Sequence, residues 1–147
     1  MNPIQPEIEA FFQRYRDVFN AGLRGGLDPK AQAGLYAKHF VGSSPRGIAG
    51  GKNGLFLKLV TRFAYKRYRK RGMDEMQLRG VAVTPIDDMH ALAKVSWRAV
   101  FAPGVGDGQP IDFDNHYLVR RESGGWKVFA WTSEDEEEAM RRHGVIA

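Results

Sequence analysis

The sequence predicts an α+β protein in which N-terminal helices pack in the concave face of a curved, mostly antiparallel sheet, with a pocket between them. Helical periodicity fills the first half of the chain, and strand-like runs separated by turn signals extend from about Gln77 to Thr132. Runs joined by tight turns pair as antiparallel neighbours, and the apolar side of such a sheet needs a helical layer to cover it. The 147 residues contain no internal repeat, so we expect a single domain over residues 1–147.

Two helices are expected at the start of the chain. Apolar residues recur at helical spacing between Ile8 and Leu23, and a glycine pair then ends the first helix. Asp28 and Pro29 are typical of an N-cap followed by a first helical residue. We therefore predict a short second helix that runs toward Ala37.

A third helix should follow a short strand or hairpin arm. That arm is expected between Phe40 and Ile48, where glycine and serine are frequent. The glycine-rich segment 50–54 lacks the spacing of a phosphate-binding loop, and we interpret it as a linker whose Asn53 caps the next helix. The helix itself should begin at Leu55 and end near Gly72.

The sheet is predicted to contain four strands after this helix: Met76–Ile86, Met89–Phe101, Ile111–Arg121 and Trp126–Thr132. A short C-terminal helix should then start at a capping box formed by Ser133 and Glu136. Its acidic first turn and basic last turn suit the helix dipole, so the acidic run has a structural explanation.

Alternation along the middle strands assigns side chains to the two faces of the sheet. Odd-numbered residues there are mostly apolar, and even-numbered ones are mostly polar. Because side chains alternate along a strand, Trp97, Asn115 and Tyr117 should face the helices, whereas Asp114 and His116 should point outward. Asn115 and Tyr117 are then polar groups on an apolar face, where they need each other, the helices or a ligand as partners.

The same alternation predicts the register of these two strands. With Phe101 opposite Ile111, apolar residues meet apolar ones. Arg98 would then form a cross-strand ion pair with Asp114 on the outer face.

The last strand leaves two alternatives open. A three-residue turn before it would direct Phe129 and Trp131 toward the helices. A turn one residue longer or shorter would direct Trp126, Val128 and Thr132 there instead.

Composition excludes several kinds of site. The chain has no cysteine, so disulfides and thiolate metal sites are excluded, and its four histidines lack metal-ligand spacing. We expect no metal and no cofactor, since neither a P-loop nor a dinucleotide fingerprint is present. The N-terminal segment lacks the basic and apolar regions typical of a signal peptide, and no apolar run is long enough to span a bilayer, so we expect a cytoplasmic protein without a membrane span.

Basic residues crowd the stretch from Lys58 to Arg71, in a chain of net charge +5. A nucleic-acid or anionic-membrane contact is one interpretation of such a stretch. No recognised nucleic-acid motif accompanies the charge. We therefore interpret the stretch as the solvated face of an amphipathic helix and expect no nucleic-acid partner.

Five segments, which span nearly the whole chain, resemble the nuclear-transport-factor-2-like superfamily with its ketosteroid-isomerase-like and polyketide-cyclase-like members: FFQRYRDVF, LYAKHFVG, VAVTPI, HALAKVSWRAVF and DFDNHYLVRRESGGWKVFAWTSEDE. The resemblance implies a cone-shaped α+β barrel with three helices in the hollow of a strongly curved sheet. It also implies a deep pocket between helices and sheet and a homodimer formed sheet to sheet. It implies no single reaction, because members of this superfamily isomerise, cyclise, dehydrate, hydrolyse or only bind.

The leading hypothesis from the sequence is a protein that binds an unidentified small apolar molecule. The residues expected to line its pocket are Tyr15, His39, Trp97, Asn115, Tyr117 and Trp131. One alternative is an isomerase, cyclase or hydrolase with Asp114 or His116 as general base, which requires these side chains to point inward. Another alternative is a structural module that dimerises or binds a partner through its sheet.

Overall fold

The computed structural model describes residues 4–147 except for the side chain of Phe56, and these residues form four helices and six strands. The helices are α1 (Gln5–Leu23), α2 (Pro29–Ala33), α3 (Leu55–Lys70) and α4 (Glu136–Arg142). The strands are β1 (Tyr36–Ser44), β2 (Gly47–Lys52), β3 (Met73–Pro85), β4 (His90–Phe101), β5 (Ile111–Glu122) and β6 (Gly125–Thr132). Within this part of the chain, no helix combines the length and the apolar character needed to cross a lipid bilayer.

The six described strands form one curled sheet in the order β2–β1–β6–β5–β4–β3. Neighbouring strands are antiparallel, except that β1 runs parallel to β6. Helix α1 packs along β3 and against α3. The predicted class is confirmed: the protein is α+β, with helices against a mostly antiparallel sheet and a short C-terminal helix.

The core lies between α1 and the concave face of the sheet. Ile8, Phe11 and Phe12 follow helical spacing on one side of α1 and are almost completely buried. The Phe12 ring contacts the ring of Tyr117 on β5, with centroids 4.9 Å apart. Packing of this kind fixes α1 across the sheet and leaves the space further along the helix for a cavity.

The predicted assignment of sheet faces is confirmed for β4 and β5. All odd-numbered residues of β4 from 91 to 99 are buried. On β5, Asn115 and Tyr117 are buried, whereas Asp114 and His116 lie on the opposite, outer face. The period-two alternation was therefore a sufficient signal for side-chain direction here.

The predicted register between β4 and β5 is wrong by two residues. Ala99, rather than Phe101, lies opposite Ile111, and Phe101 pairs with Met73 of β3. A shift of two residues keeps every side chain on its own face, so polar and apolar residues alternate equally well in both registers. The loop after β4 is held by contacts remote in sequence, such as Ala102 N donating to Gly72 O at 2.8 Å.

The outer-face ion pairs shift with the register. Arg98 Nε lies 2.7 Å from Asp112 Oδ1, in place of the expected Asp114. Asp114 instead lies beside Lys94, whose Nζ is 3.8 Å from Asp114 Oδ2. Exposed pairs of this kind contribute little to stability, because water and salt screen their charges.

A β-bulge on β6 resolves the two alternatives for the last strand. Val119 pairs with Val128, but Leu118 pairs with Ala130, so Phe129 is the extra residue of the bulge. Before the bulge, Trp126 and Val128 are buried; after it, Trp131 faces the helices. Each alternative was therefore right for one part of the strand, because the bulge switches the inward face.

The segment from α2 to α3 differs from the prediction. Helix α2 ends at Ala33, and β1 starts at Tyr36, because Leu35 O accepts a hydrogen bond from Val128 N at 2.9 Å and the chain enters the sheet. Strand β2 extends into the segment predicted as a linker. Asn53 does not cap α3: its side-chain amide donates to the carbonyls of Ala33 and Tyr36 at 2.7 and 3.0 Å.

The predicted capping box of α4 is also wrong. Asp135, rather than Ser133, is the N-cap, and its Oδ1 accepts from Glu138 N at 3.1 Å. The same carboxylate accepts from Arg46 Nε at 2.9 Å, which ties α4 to the hairpin of β1 and β2. The side chain of Glu136 therefore takes no part in capping α4.

Candidate functional site

A cavity of about 560 Å³ lies between the concave face of the sheet and helices α1, α3 and α4. Much of its wall is aromatic or apolar, including Phe19, Met76, Trp97 and Phe113. A cavity of this volume and character suits a small organic molecule.

On the sheet side, three side chains form a hydrogen-bonded group. The Tyr117 hydroxyl accepts from Trp97 Nε1 at 3.1 Å and from Asn115 Nδ2 at 3.2 Å. Asn115 and Tyr117 share a face because they are two residues apart on β5, and Trp97 lies on neighbouring β4. A hydroxyl that accepts two bonds keeps its own proton for another acceptor.

Asn115 has incomplete hydrogen bonding. The residue is 8% exposed, and its Oδ1 has no hydrogen-bond partner among the described residues. Exchanging the amide oxygen and nitrogen would leave Nδ2 without an acceptor instead, so one amide atom is unpaired in either orientation. A buried polar group left without a partner costs about 1–3 kcal/mol of stability.

A second polar pair joins α1 to β1. The hydroxyls of Tyr15 and Tyr36 lie 2.9 Å apart, and the Tyr15 ring also contacts Trp97 and Tyr117. Burial raises the pKa of Tyr15 and of Tyr36, so both hydroxyls stay protonated at neutral pH. This part of the wall therefore offers neutral hydrogen-bond donors.

Tyr65 connects α3 to helices α1 and α2. Its hydroxyl donates to Gln32 Oε1 at 3.0 Å, and its ring lies over Gly22 of α1. A Cβ added at Gly22 would come within 2.6 Å of that ring. The glycine thus allows α1 and α3 to approach closely enough to close this side of the cavity.

Glu136, the first residue of α4, lines the cavity with its carboxyl group. Its Oε2 accepts from the Tyr68 hydroxyl at 2.8 Å. No cation of the described residues lies within ion-pair distance, and Arg71 pairs with Glu137 instead. Burial raises the pKa of Glu136, although the Tyr68 hydrogen bond and the charges of Arg67 and Arg71 act in the opposite direction. A carboxyl group in this setting can accept or donate a hydrogen bond to a bound molecule.

The cavity brings together most of the residues predicted to line a pocket: Tyr15, Trp97, Asn115, Tyr117 and Trp131. His39 does not belong to this group. It is exposed on β1 opposite Lys52, because its neighbour Phe40 points inward. Asp114 and His116 do not line the cavity either, since they lie on the outer face of β5.

Sequence reasoning missed the tyrosines of α3 and the carboxyl group of Glu136. Tyr65 and Tyr68 lie on the inward side of α3 with Leu57 and Thr61, and this helical spacing was a usable signal. Glu136 gave no such signal, because the dipole of α4 already explained an acidic first turn.

Solved structures of similar fold cover most of the chain. An NTF2-like protein of unknown function from Shewanella oneidensis MR-1 is 14% identical, with a TM-score of 0.65 over 88% of this chain and 98% of that one. An NTF2-like protein with a cystatin-like fold from Novosphingobium aromaticivorans is 18% identical, with a TM-score of 0.65 over 97% and 88%. A ketosteroid isomerase-like protein from Erwinia carotovora atroseptica SCRI1043 is 20% identical, with a TM-score of 0.62 over 91% and 97%.

At sequence identities of 14–20%, these structures show a similar fold and nothing more. A comparison with curated proteins found no match to the sequence. A family model described as NTF2-like protein (DUF6841) matches residues 6–136. The matched range begins in α1, includes all six described strands and ends at Glu136. The chain therefore belongs to the family of NTF2-like proteins designated DUF6841.

Proposed function

We propose that this protein binds a small, mostly apolar molecule in the cavity between its helices and its sheet. The unpaired amide atom of Asn115 carries this proposal, because a buried polar group without a partner is costly and a ligand would supply the partner. The aromatic wall supports a ligand that is flat and hydrophobic over most of its surface.

Polar groups in two parts of the cavity narrow the class of ligand. Tyr117 has a proton left to donate and Asn115 Oδ1 is free to accept one, so the sheet side suits a ligand hydroxyl. The carboxyl group of Glu136 on α4 suits a ligand hydroxyl or N–H group. The expected ligand is therefore an apolar molecule that carries a polar group at each end.

Isothermal titration calorimetry with three naphthalenes tests this proposal. We expect affinity to rise from naphthalene to 2-naphthol to 2,6-dihydroxynaphthalene, by up to about tenfold for each hydroxyl that finds a partner. Lys94→Gln on the outer face serves as the matched control and should leave all three affinities unchanged. Equal affinity for the three compounds, or no saturable binding of any of them, would contradict the proposal.

The enzymatic alternative that uses Asp114 or His116 as general base is not supported by their position. Both side chains lie on the outer face of β5, and a base must come within hydrogen-bond reach of the proton that it removes. The homodimer expected from the family resemblance stays a prediction, which sedimentation velocity of the purified protein tests.

A further inference from the structure

The outer side of α3 is unusual for a surface helix because it combines exposed apolar side chains with basic ones. Leu55 is 72% exposed, Phe63 is 70% exposed, and Leu59 and Val60 are 45% and 47% exposed. The opposite side of the helix already packs on the protein, since Leu57 is buried in the core. Exposed apolar residues grouped on one element mark an interaction site more often than single ones do.

The charges on α3 are all of one sign. Its sequence, LFLKLVTRFAYKRYRK, contains six basic residues and no acidic residue. Arg69 donates a hydrogen bond from Nη1 to Gly22 O of α1 at 2.7 Å. The side chains of Lys58, Arg62, Lys66 and Lys70 are exposed, and none forms an ion pair within the described part of the chain.

The two kinds of side chain share one side of the helix. Leu55, Leu59 and Phe63 follow one another at four-residue intervals, and Lys66 and Lys70 continue the same side toward the C-terminal end. Long basic side chains can keep their charges at headgroup level while apolar side chains beside them enter the acyl boundary. This combination is what a helix lying in the plane of a membrane interface presents.

We propose that the outer side of α3 docks the protein on an anionic phospholipid surface, with Phe63, Leu59 and Leu55 inserted and the basic side chains on the lipid phosphates. Charge complementarity selects this partner, because unpaired basic residues gain free energy near an anionic leaflet. The exposed leucines and phenylalanine favour a bilayer over a nucleic acid, whose phosphate backbone offers no apolar phase to receive them.

Vesicle flotation with the full chain tests the proposal. The probes are vesicles of phosphatidylcholine alone and of phosphatidylcholine mixed with phosphatidylglycerol. We expect binding to the anionic vesicles only, with a loss of affinity of about fivefold for Arg62→Gln and for Lys66→Gln. Phe63→Gln should lower the affinity by about tenfold or more, because it removes an aromatic ring that is 70% exposed on this helix.

Matched variants on other elements separate this patch from general surface properties. Ile86→Gln removes another exposed apolar side chain, and Lys94→Gln removes another exposed charge. Both should bind vesicles as the unchanged protein does, and all variants should keep the same thermal unfolding midpoint because every changed side chain is exposed.

Three results would overturn the proposal. One is equal binding, or no binding, to neutral and anionic vesicles. Another is binding to an oligonucleotide that depends on Arg62 and not on Phe63, without vesicle binding. The third is a dimer in sedimentation velocity that Phe63→Gln converts to monomer, again without vesicle binding, which would assign the patch to a second copy of the chain.

Discussion

At the scale of single residues, Glu136 should make the stability of the protein depend on pH. Burial raises the pKa of its carboxyl group, so the folded protein binds this proton more tightly than the unfolded chain does. Stability from this group is therefore present below the ordinary glutamate pKa and is lost as the pH rises through the higher folded pKa. Glu136→Gln does not titrate at this position, so its unfolding midpoint should gain on that of the unchanged protein as the pH rises above the ordinary glutamate pKa.

Thermal unfolding followed by circular dichroism at a series of pH values measures this gain. Glu138→Gln is the matched control on the same helix, because Glu138 is exposed and pairs with Arg141 at 3.0 Å. Parallel pH curves for Glu136→Gln and the unchanged protein would contradict the assignment of a raised pKa to Glu136.

Replacing Asn115 should preserve or raise stability and, at the same time, weaken ligand binding. Asn115→Leu replaces the amide with an apolar group of similar shape and removes the unpaired buried atom. We expect the free energy of unfolding to stay unchanged or to rise by about 1 kcal/mol. The affinity for 2-naphthol should fall, because the ligand oxygen loses its partner on β5. Denaturant titration and calorimetry measure the two effects, and a clear loss of stability would contradict the unpaired state of the amide.

At the scale of elements, the contact between α1 and α3 depends on Gly22. In Gly22→Ala the added methyl group would overlap the Tyr65 ring, so the helices must separate and the Tyr65–Gln32 hydrogen bond must weaken. Overpacking of this kind lowers the free energy of unfolding by about 1–3 kcal/mol, and the better helix propensity of alanine offsets only part of it. Denaturant titration measures the loss.

Gly26→Ala is the control for this prediction. Its added Cβ would lie 3.5 Å from the nearest atom, Ala21 O, which is an ordinary contact. A loss of stability in Gly26→Ala equal to that in Gly22→Ala would show that the close helix contact is not the cause.

The N-cap of α4 separates the effects of charge and hydrogen bonding. Asp135→Asn keeps a side-chain acceptor for Glu138 N, whereas Asp135→Ala removes it. We expect amide exchange at Glu138 to accelerate strongly in the alanine variant and only slightly in the asparagine variant. Hydrogen exchange measured by NMR tests this, and equal acceleration in both would assign the effect to the ion pair with Arg46 instead.

The elements show how far local sequence determines this fold. Side-chain direction on β4 and β5 was predictable, because alternation repeats every two residues along each strand. The register was not, since a shift of two residues preserves the alternation and remote contacts of the following loop decide it. The bulge at Phe129 and the cap at Asp135 also depend on partners far away in sequence. Trp97, Asn115 and Tyr117 on β4 and β5 could therefore be predicted as cavity residues, whereas the exposed position of His39 on β1 and the role of Glu136 could not.

At the scale of the whole molecule, the cavity itself should limit stability. Ala99 is buried on β4 and lines the cavity, so Ala99→Leu would fill part of the empty space. We expect the unfolding midpoint to stay the same or to rise, and the affinity for 2-naphthol to fall at least about tenfold. Ala82→Leu, at an exposed position of β3, is the control and should leave the affinity unchanged. Unchanged affinity in Ala99→Leu would place the ligand elsewhere.

The parallel pairing of β1 with β6 determines when the six-stranded sheet can be completed during synthesis of the chain. Strand β1 leaves the ribosome early. Its residues Val41 and Gly42 cannot pair until Ala130 and Trp131 of β6 have been synthesised. A two-stranded hairpin alone is marginally stable in water, so β1 and β2 stay an open edge while β3 to β5 assemble through neighbours that are close in sequence. The hairpin of β1 and β2 should therefore join the sheet at the end of folding rather than at its beginning. Chaperone binding to nascent chains should be strongest before β6 emerges from the ribosome.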